Sequence, residues 1–232
     1  MSSDVLAPLA ARYPGVRAGA VPPEAEGPIR AMPVVLRLER DAPPRTAVLE
    51  AAAAAALAVC LDPRASRGGE WHDAVAAWTA GRIRKIARRA RGAHWAAVLE
   101  LPGVTCAVGP AEVRALLPGP VDAVPRTVAR LQIGGTDLPP DEPGPVPADA
   151  VPIRLNPAVE MTVGKAAAQV GHASMLWGAV RGAAEVPRFA VRTADPGTWA
   201  ELCASAERGE SVLVRDAGLT EIDPGTITCI VS

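Results

Sequence analysis

Residues 162–173 read TVGKAAAQVGHA, a run of small residues broken by three polar ones. The spacing predicts a helix from about Val163 to Val180 with Thr162 as N-cap, its hydroxyl accepting a backbone N–H of the first turn. Lys165 then falls in that first turn, where the helix dipole disfavours a cation. A helix built for stability alone would place Glu there. Lys165, Gln169 and His172 stand at i, i+4 and i+7, on one stripe about 60° wide. A solvated face also gives a polar stripe. The cation at the wrong helix end, and three different hydrogen-bonding side chains in place of a charge run, favour a site.

Outward from this helix the chain reads as alternating strands and helices. IRLNPAVEM (153–161) opens with a strand, and RFAVRTADPGTWAEL (188–202) gives a strand, a turn and a helix that Trp199 opens. In SVLVRDAGLTEIDPGTITCIVS (211–232), Val212–Val214 reads as a buried strand with Asp216 at its carboxyl end, where α/β folds place their sites. An Asx-turn would use the same aspartate to cap its own loop. Upstream, the order recurs: VVLRLERDAPP (34–44), an Ala-rich helix from Arg45 to Leu61, RKIARRARGAHWAAV (84–98) with Trp95, then 111–134. The expectation is an α/β protein built as a tandem βαβαββ-like unit. Residues 1–31, rich in Ala, Gly and Pro, read as a flexible arm. Residues 32–138 form the first unit, the Pro-rich 139–151 a linker, and 152–232 the second unit.

The 24 basic side chains nearly balance 25 acidic ones, for a net charge of −1, which excludes a globally basic nucleic-acid coat. The charge is uneven: residues 31–140 carry 14 basic and 10 acidic groups, and residues 151–232 carry 7 and 9. Only Lys85 and Lys165 of the cations are lysines. Arg82, Arg84, Lys85, Arg88, Arg89 and Arg91 put six cations in ten residues, the clustering that polyanion binding needs. Four scattered cysteines form no Cys-x-x-Cys pair and no zinc-ligand spacing, so they are expected as reduced thiols with no metal and no cofactor. No basic-then-apolar leader and no membrane-length apolar run is present, so the expectation is a cytoplasmic protein with no membrane partner.

GKAAAQVGHA (164–173) followed by RDAGLTEIDPGT (215–226) resembles the type-2 peptidyl-tRNA hydrolases, whose two blocks read G-K-x-A-A-Q-x-x-H-A and D-A-G-x-T-x-I-x-P-G-T. The resemblance covers 152–232. It implies an α/β fold with a mixed four-stranded sheet flanked by helices, here duplicated in tandem, and metal-independent hydrolysis of the ester between a peptide and the 3′ ribose of tRNA, with Lys165, Gln169, His172, Asp216 and Thr220 as the functional positions. Three positions depart from the pattern: Gly171 where Ala is usual, Leu219 where a basic residue is common, and Glu221 where Gln is common.

The first unit keeps the order of elements without the chemistry. The sequence reading sets Val48 opposite Lys165 and Ala115 opposite Asp216, making it a degenerate copy. Hydrolases of this type resemble homodimers, so the tandem chain reads as an internal pseudo-dimer that is monomeric, or as a homodimer. Arg84, Lys85, Arg88, Arg89 and Arg215 are the expected contacts to tRNA. The alternative is a non-catalytic tRNA- or protein-binding module on the same fold. An esterase acting on other acyl esters is a third reading.

Overall fold

The computed structural model describes residues 4–22, 26–216 and 222–232. Helix α1 spans Ala7–Arg17, strand β1 Arg30–Arg37, helix α2 Arg45–Leu61 and helix α3 His72–Ala80. Strand β2 (Lys85–Ala90), helix α4 (Gly92–Leu99) and the hairpin of β3 (Gly103–Val108) and β4 (Ala111–Leu116) follow. A two-residue strand β5 (Gly119–Pro120) and a short helix α5 (Arg126–Ala129) come next. The second series is β6 (Val151–Leu155), α6 (Val163–Arg181), β7 (Phe189–Thr193), α7 (Pro196–Arg208), β8 (Val212–Arg215) and β9 (Ile227–Val231).

The two sheets repeat one topology. The first is ordered β2-β1-β4-β3, with β5 paired to β1, and the second β7-β6-β9-β8. In each, the first pair is parallel and the other two are antiparallel. The registers coincide as well: Val34 faces Ala115 as Ile153 faces Val231. Pro33 and Pro152 therefore share one position in an inner strand, where proline is uncommon because it brings no N–H to the ladder. Two mixed sheets with matched order and register are what a tandem duplication leaves.

Helices α2 and α6 pack on each other between the sheets. Their contact stripes are built from Ala and Gly, which lets the backbones come close. A Cβ on Gly178 of α6 would stand 2.7 Å from Leu57 Cδ1 of α2. Each helix also reaches the edge strand of the other sheet. Glu50 of α2 accepts from the Val191 N–H (3.1 Å) and from Arg192 Nη1 (2.8 Å) on β7. On the outer faces, Trp95 of α4 packs with Val35, Ala90 and Val98, and Trp199 of α7 packs against Leu213 and Ile230.

Two parts of the sequence reading are corrected. The segment expected as a flexible arm contains α1, with Leu6, Leu9 and Tyr13 buried on one helical face. The Tyr13 hydroxyl accepts from the backbone N–H of Leu213 at 2.8 Å, tying α1 to the edge strand β8. Its Gly and Pro content hid a short apolar period. The second correction concerns the hairpin. Register matches 104–115, not 111–134, with 212–231, so Val108 and not Ala115 stands opposite Asp216. Residues 117–133 are additional; Val128 and Leu131 there cover the outer face of the first sheet.

Residues 139–150 hold neither helix nor strand, and Asp141 among them accepts from the Thr46 N–H at the start of α2 (3.0 Å). Among the described residues, no helix is long and apolar enough to cross a membrane.

Candidate active site

Thr162 caps α6 as the sequence reading expects, its hydroxyl accepting from Lys165 N at 3.3 Å. A second hydroxyl holds the same helix end. Buried Thr136 accepts from the Gly164 N–H at 3.2 Å, and a Cβ on Gly164 would stand 2.8 Å from that oxygen. Thr136 precedes the linker, so a residue of the first half fixes where Lys165 begins its turn. Nothing in its sequence neighbourhood marks it.

The stripe on α6 divides between two partners. Gln169, buried at 6% exposure, donates from Nε2 to Asp216 Oδ2 at 2.9 Å and accepts at Oε1 from Thr228 Oγ1 at 2.7 Å. Lys165 Nζ lies 3.8 Å from the same Asp216 oxygen. Asp216 itself is set by the backbone: its N–H donates to Thr226 O and its carbonyl accepts from Gly225 N, both at 2.9 Å. These two bonds tie Asp216, just past β8, to residues 225 and 226, which lead into β9. Thr228 is missed by sequence reasoning: strand alternation would set it with Ile230 on the outer face, and the register irregularity opposite Val214 and Arg215 turns it toward Gln169 instead.

His172 faces the other way, toward the first half. Its Nδ1 lies 3.3 Å from Lys85 Nζ on β2, and the amine also donates to Ile83 O at 3.4 Å. Burial, and then the nearby Lys85, hold the imidazole well below its usual value, so the ring is neutral near pH 7. Burial likewise lowers Lys85 to about 7, opposed by Cys60, whose own buried thiol is pushed up to about 12.

These groups line one cleft of about 610 Å³. Lys165, Gln169, His172 and Asp216 come from the second half, Arg84 and Lys85 from the first, and Arg215 from the end of β8. Leu9, Val16, Ile83 and Leu176 supply an apolar wall. The basic run is split by its strand. Arg88 turns to the outer face of the sheet and donates to Leu131 O at 2.9 Å, and Arg89 Nε donates to Gln132 Oε1 at 2.9 Å. Four residues along a strand is about 13 Å, which carries Arg89 away from Lys85. Arg215 donates to Gly225 O at 3.0 Å. Thr220, expected in the site, lies outside the described residues.

The first half has no comparable set. Counted from the residue before each helix, Pro44 matches Thr162, and Ala47, Ala51 and Ala54 stand where Lys165, Gln169 and His172 do. That count replaces Val48 as the residue opposite Lys165. Among the described residues, no group of three or more His, Cys, Asp or Glu gathers as a metal ion would need.

No protein-family model matches the chain, and no solved structure does. The peptidyl-tRNA hydrolase of Methanopyrus kandleri is 38% identical over 86 residues, a match spanning 31% of this chain and 72% of that relative. The chain belongs to the peptidyl-tRNA hydrolase family. For a member of the peptidyl-tRNA hydrolases, the larger part of its length has no counterpart in that match, and its cleft is walled by elements from both halves.

Proposed function

We propose that this protein hydrolyses the ester joining a peptide to the 3′ ribose of tRNA, with the catalytic groups in residues 152–232. The observation that carries this reading is the buried Asp216 carboxylate, held by Gln169 at 2.9 Å with Lys165 at 3.8 Å on an open cleft. Asp216 accepts a proton from water as the water oxygen bonds to the ester carbonyl carbon. Lys165 stabilises the negative charge that develops on the carbonyl oxygen. The bond to the ribose oxygen then breaks, the ribose takes the proton back from Asp216, and the peptide acid gives its remaining proton to solvent and leaves as a carboxylate. Gln169 keeps the Asp216 carboxylate oriented through the cycle, and Thr220 joins the site on the strength of the motif.

The cleft's chemistry suits such a substrate. Its apolar wall accepts the acyl side, while Arg84 and Arg215 offer positive charge to the terminal phosphates; the Lys85 amine, expected among these contacts, is held against His172 instead. Arg88 and Arg89, expected as tRNA contacts from the same basic run, donate to Leu131 and Gln132 and leave that role to Arg84 and Arg215. No metal enters this scheme, because Lys165 takes the electrostatic role. The two halves together do the work of a pair of subunits within a single chain, in the cytoplasm where peptidyl-tRNA arises.

The deciding experiment follows release of N-acetylated amino acid from charged tRNA, beside the free aminoacyl-tRNA, with and without EDTA. Release from the blocked substrate, undiminished by the chelator and absent in Asp216→Asn, is the expected result. Tight tRNA binding without release would instead support a binding module. Equal release from unblocked or simple acyl esters would redirect the assignment to another esterase.

A further inference from the structure

This chain uses arginine for nearly all its 24 basic positions and lysine only at 85 and 165. The fold brings both lysines to one cleft, although they lie on different halves. An arginine is always charged and carries a wide fork, whereas a lysine is a compact donor that can lose its proton. Lys165 belongs to the motif. Lys85 does not.

The fold itself does not call for an amine at position 85. Register places Lys85 opposite Met32 as it places Phe189 opposite Val151, so the matching position in the second sheet is filled by an aromatic hydrocarbon. Half-burying an ammonium where an apolar side chain serves is costly without a partner. Its surroundings are nevertheless shaped to hold it. Gly171 of α6 leaves room for the stem, since a Cβ there would stand 3.0 Å from both Lys85 Cδ and Cε. Trp78 lies under the amine, 5.1 Å from Nζ to the ring centroid, and is pinned by its own Nε1–H to Arg84 O at 3.1 Å. The amine so placed meets His172 Nδ1 at 3.3 Å. Gly171, a departure from the hydrolase pattern, thereby gains a physical reason.

We propose that Lys85 of the first half is a positioning residue for the site of the second, donating to His172 Nδ1 so that the ring keeps its proton on Nε2 and presents a fixed donor in the cleft. An ammonium can only donate, so Nδ1 must accept and the other nitrogen must carry the hydrogen. The arrangement makes the site composite: the half without the catalytic set still fixes one of its side chains. Near Lys85 stand Cys60 on α2, His172 and Lys165 on α6, Arg12 on α1, Arg84 before its own strand, and Asp216 after β8. With the thiol and the imidazole neutral, Lys85 sheds its charge as pH rises through about 7, so the lock is full below that and released above it.

That the fixed donor serves ester hydrolysis rests on the function proposed above, but the lock itself is read without any substrate. Nitrogen-15 NMR of the imidazoles follows His172 among only three histidines, with His72 and His94 removed by substitution to Gln for assignment. Wild type should show the Nε2–H form at pH 6, giving way to a mixture of the two neutral forms by pH 8.5. Lys85→Met, which keeps the stem and drops the amine, should show the mixture throughout and raise the His172 pKa, because the neighbouring positive charge is gone. Its kcat should fall about tenfold to a hundredfold with KM little changed, and its pH profile should lack the inflection near 7 that the lock predicts for wild type. A tautomer in wild type that ignores pH between 6 and 8.5 overturns the proposal, and that arm needs no variant to fold. An unchanged tautomer or an unchanged kcat in Lys85→Met overturns it equally. If wild type releases nothing from peptidyl-tRNA, the hydrolase reading fails while the NMR result still decides the lock.

Discussion

Gln169 Nε2 donates to Asp216 Oδ2 across 2.9 Å, and the same carboxamide takes the Thr228 hydroxyl at 2.7 Å on its other side. A buried amide with both ends engaged is worth most when both partners stay. Gln169→Leu should therefore cost about 1–3 kcal/mol in urea unfolding, because it leaves polar neighbours without their partner. Thr228→Val should cost less, and the double variant should lose less than the sum of the two. Strictly additive losses would show that the three groups do not act together.

Lys165 stands in the first turn of α6, against the helix dipole, with its amine near Asp216. Lys165→Ala should lower kcat by roughly 10²–10³ in single-turnover release. Lys165→Arg should not restore it, since the planar fork cannot occupy the place of a point charge. Near-wild-type turnover in either variant would remove Lys165 from the chemistry.

Lys85 couples the cleft to stability as well as to His172. Burial lowers its pKa from the usual 10.5 to about 7, so between those values the unfolded chain holds a proton that the folded chain lacks. Stability from this group is full above about 10.5 and is lost as pH falls toward 7. Lys85→Met should accordingly melt above wild type at pH 7, with the gap narrowing steadily up to pH 10. A gap independent of pH would mean that the amine is solvated in the folded protein.

The basic strand offers a contrast that a salt titration can read. Arg84 and Arg215 line the cleft, whereas Arg88 and Arg89 hold Leu131 and Gln132. Arg84→Ala and Arg215→Ala should each reduce the log–log salt slope of tRNA capture by roughly 0.7–0.9, if each contacts one phosphate. Arg88→Ala should lower the melting temperature and leave that slope nearly intact. The reverse pattern would move the tRNA path to the outer face of the first sheet.

The site on α6 is legible because its members lie within one helical stripe and one strand end, where spacing fixes direction. Lys165, Gln169 and Asp216 meet as that spacing implies. His172 is on the same stripe, yet its partner lies 87 residues away on another sheet. No periodicity connects β2 to α6. The basic run shows the same limit: sequence counts its charges, but strand alternation and the 131–132 segment determine which of them reach the cleft.

By itself the sequence determined the alternation of strands and helices, the capped helix at Thr162, the polar stripe and the repeated order of elements. Those follow from local periods, capping chemistry and turn residues, which act within a few positions of one another. The tertiary structure alone decided that the repeat aligns through the 103–116 hairpin, that α1 joins the core through Tyr13, and that Thr136 and Lys85 enter the site. Each is a contact across halves or between strands remote in the chain, and such contacts are chosen by how two Ala- and Gly-rich helices pack face to face. The close approach of α2 to α6 brings the edge strand of one sheet against α6 of the other half, and with it the second lysine.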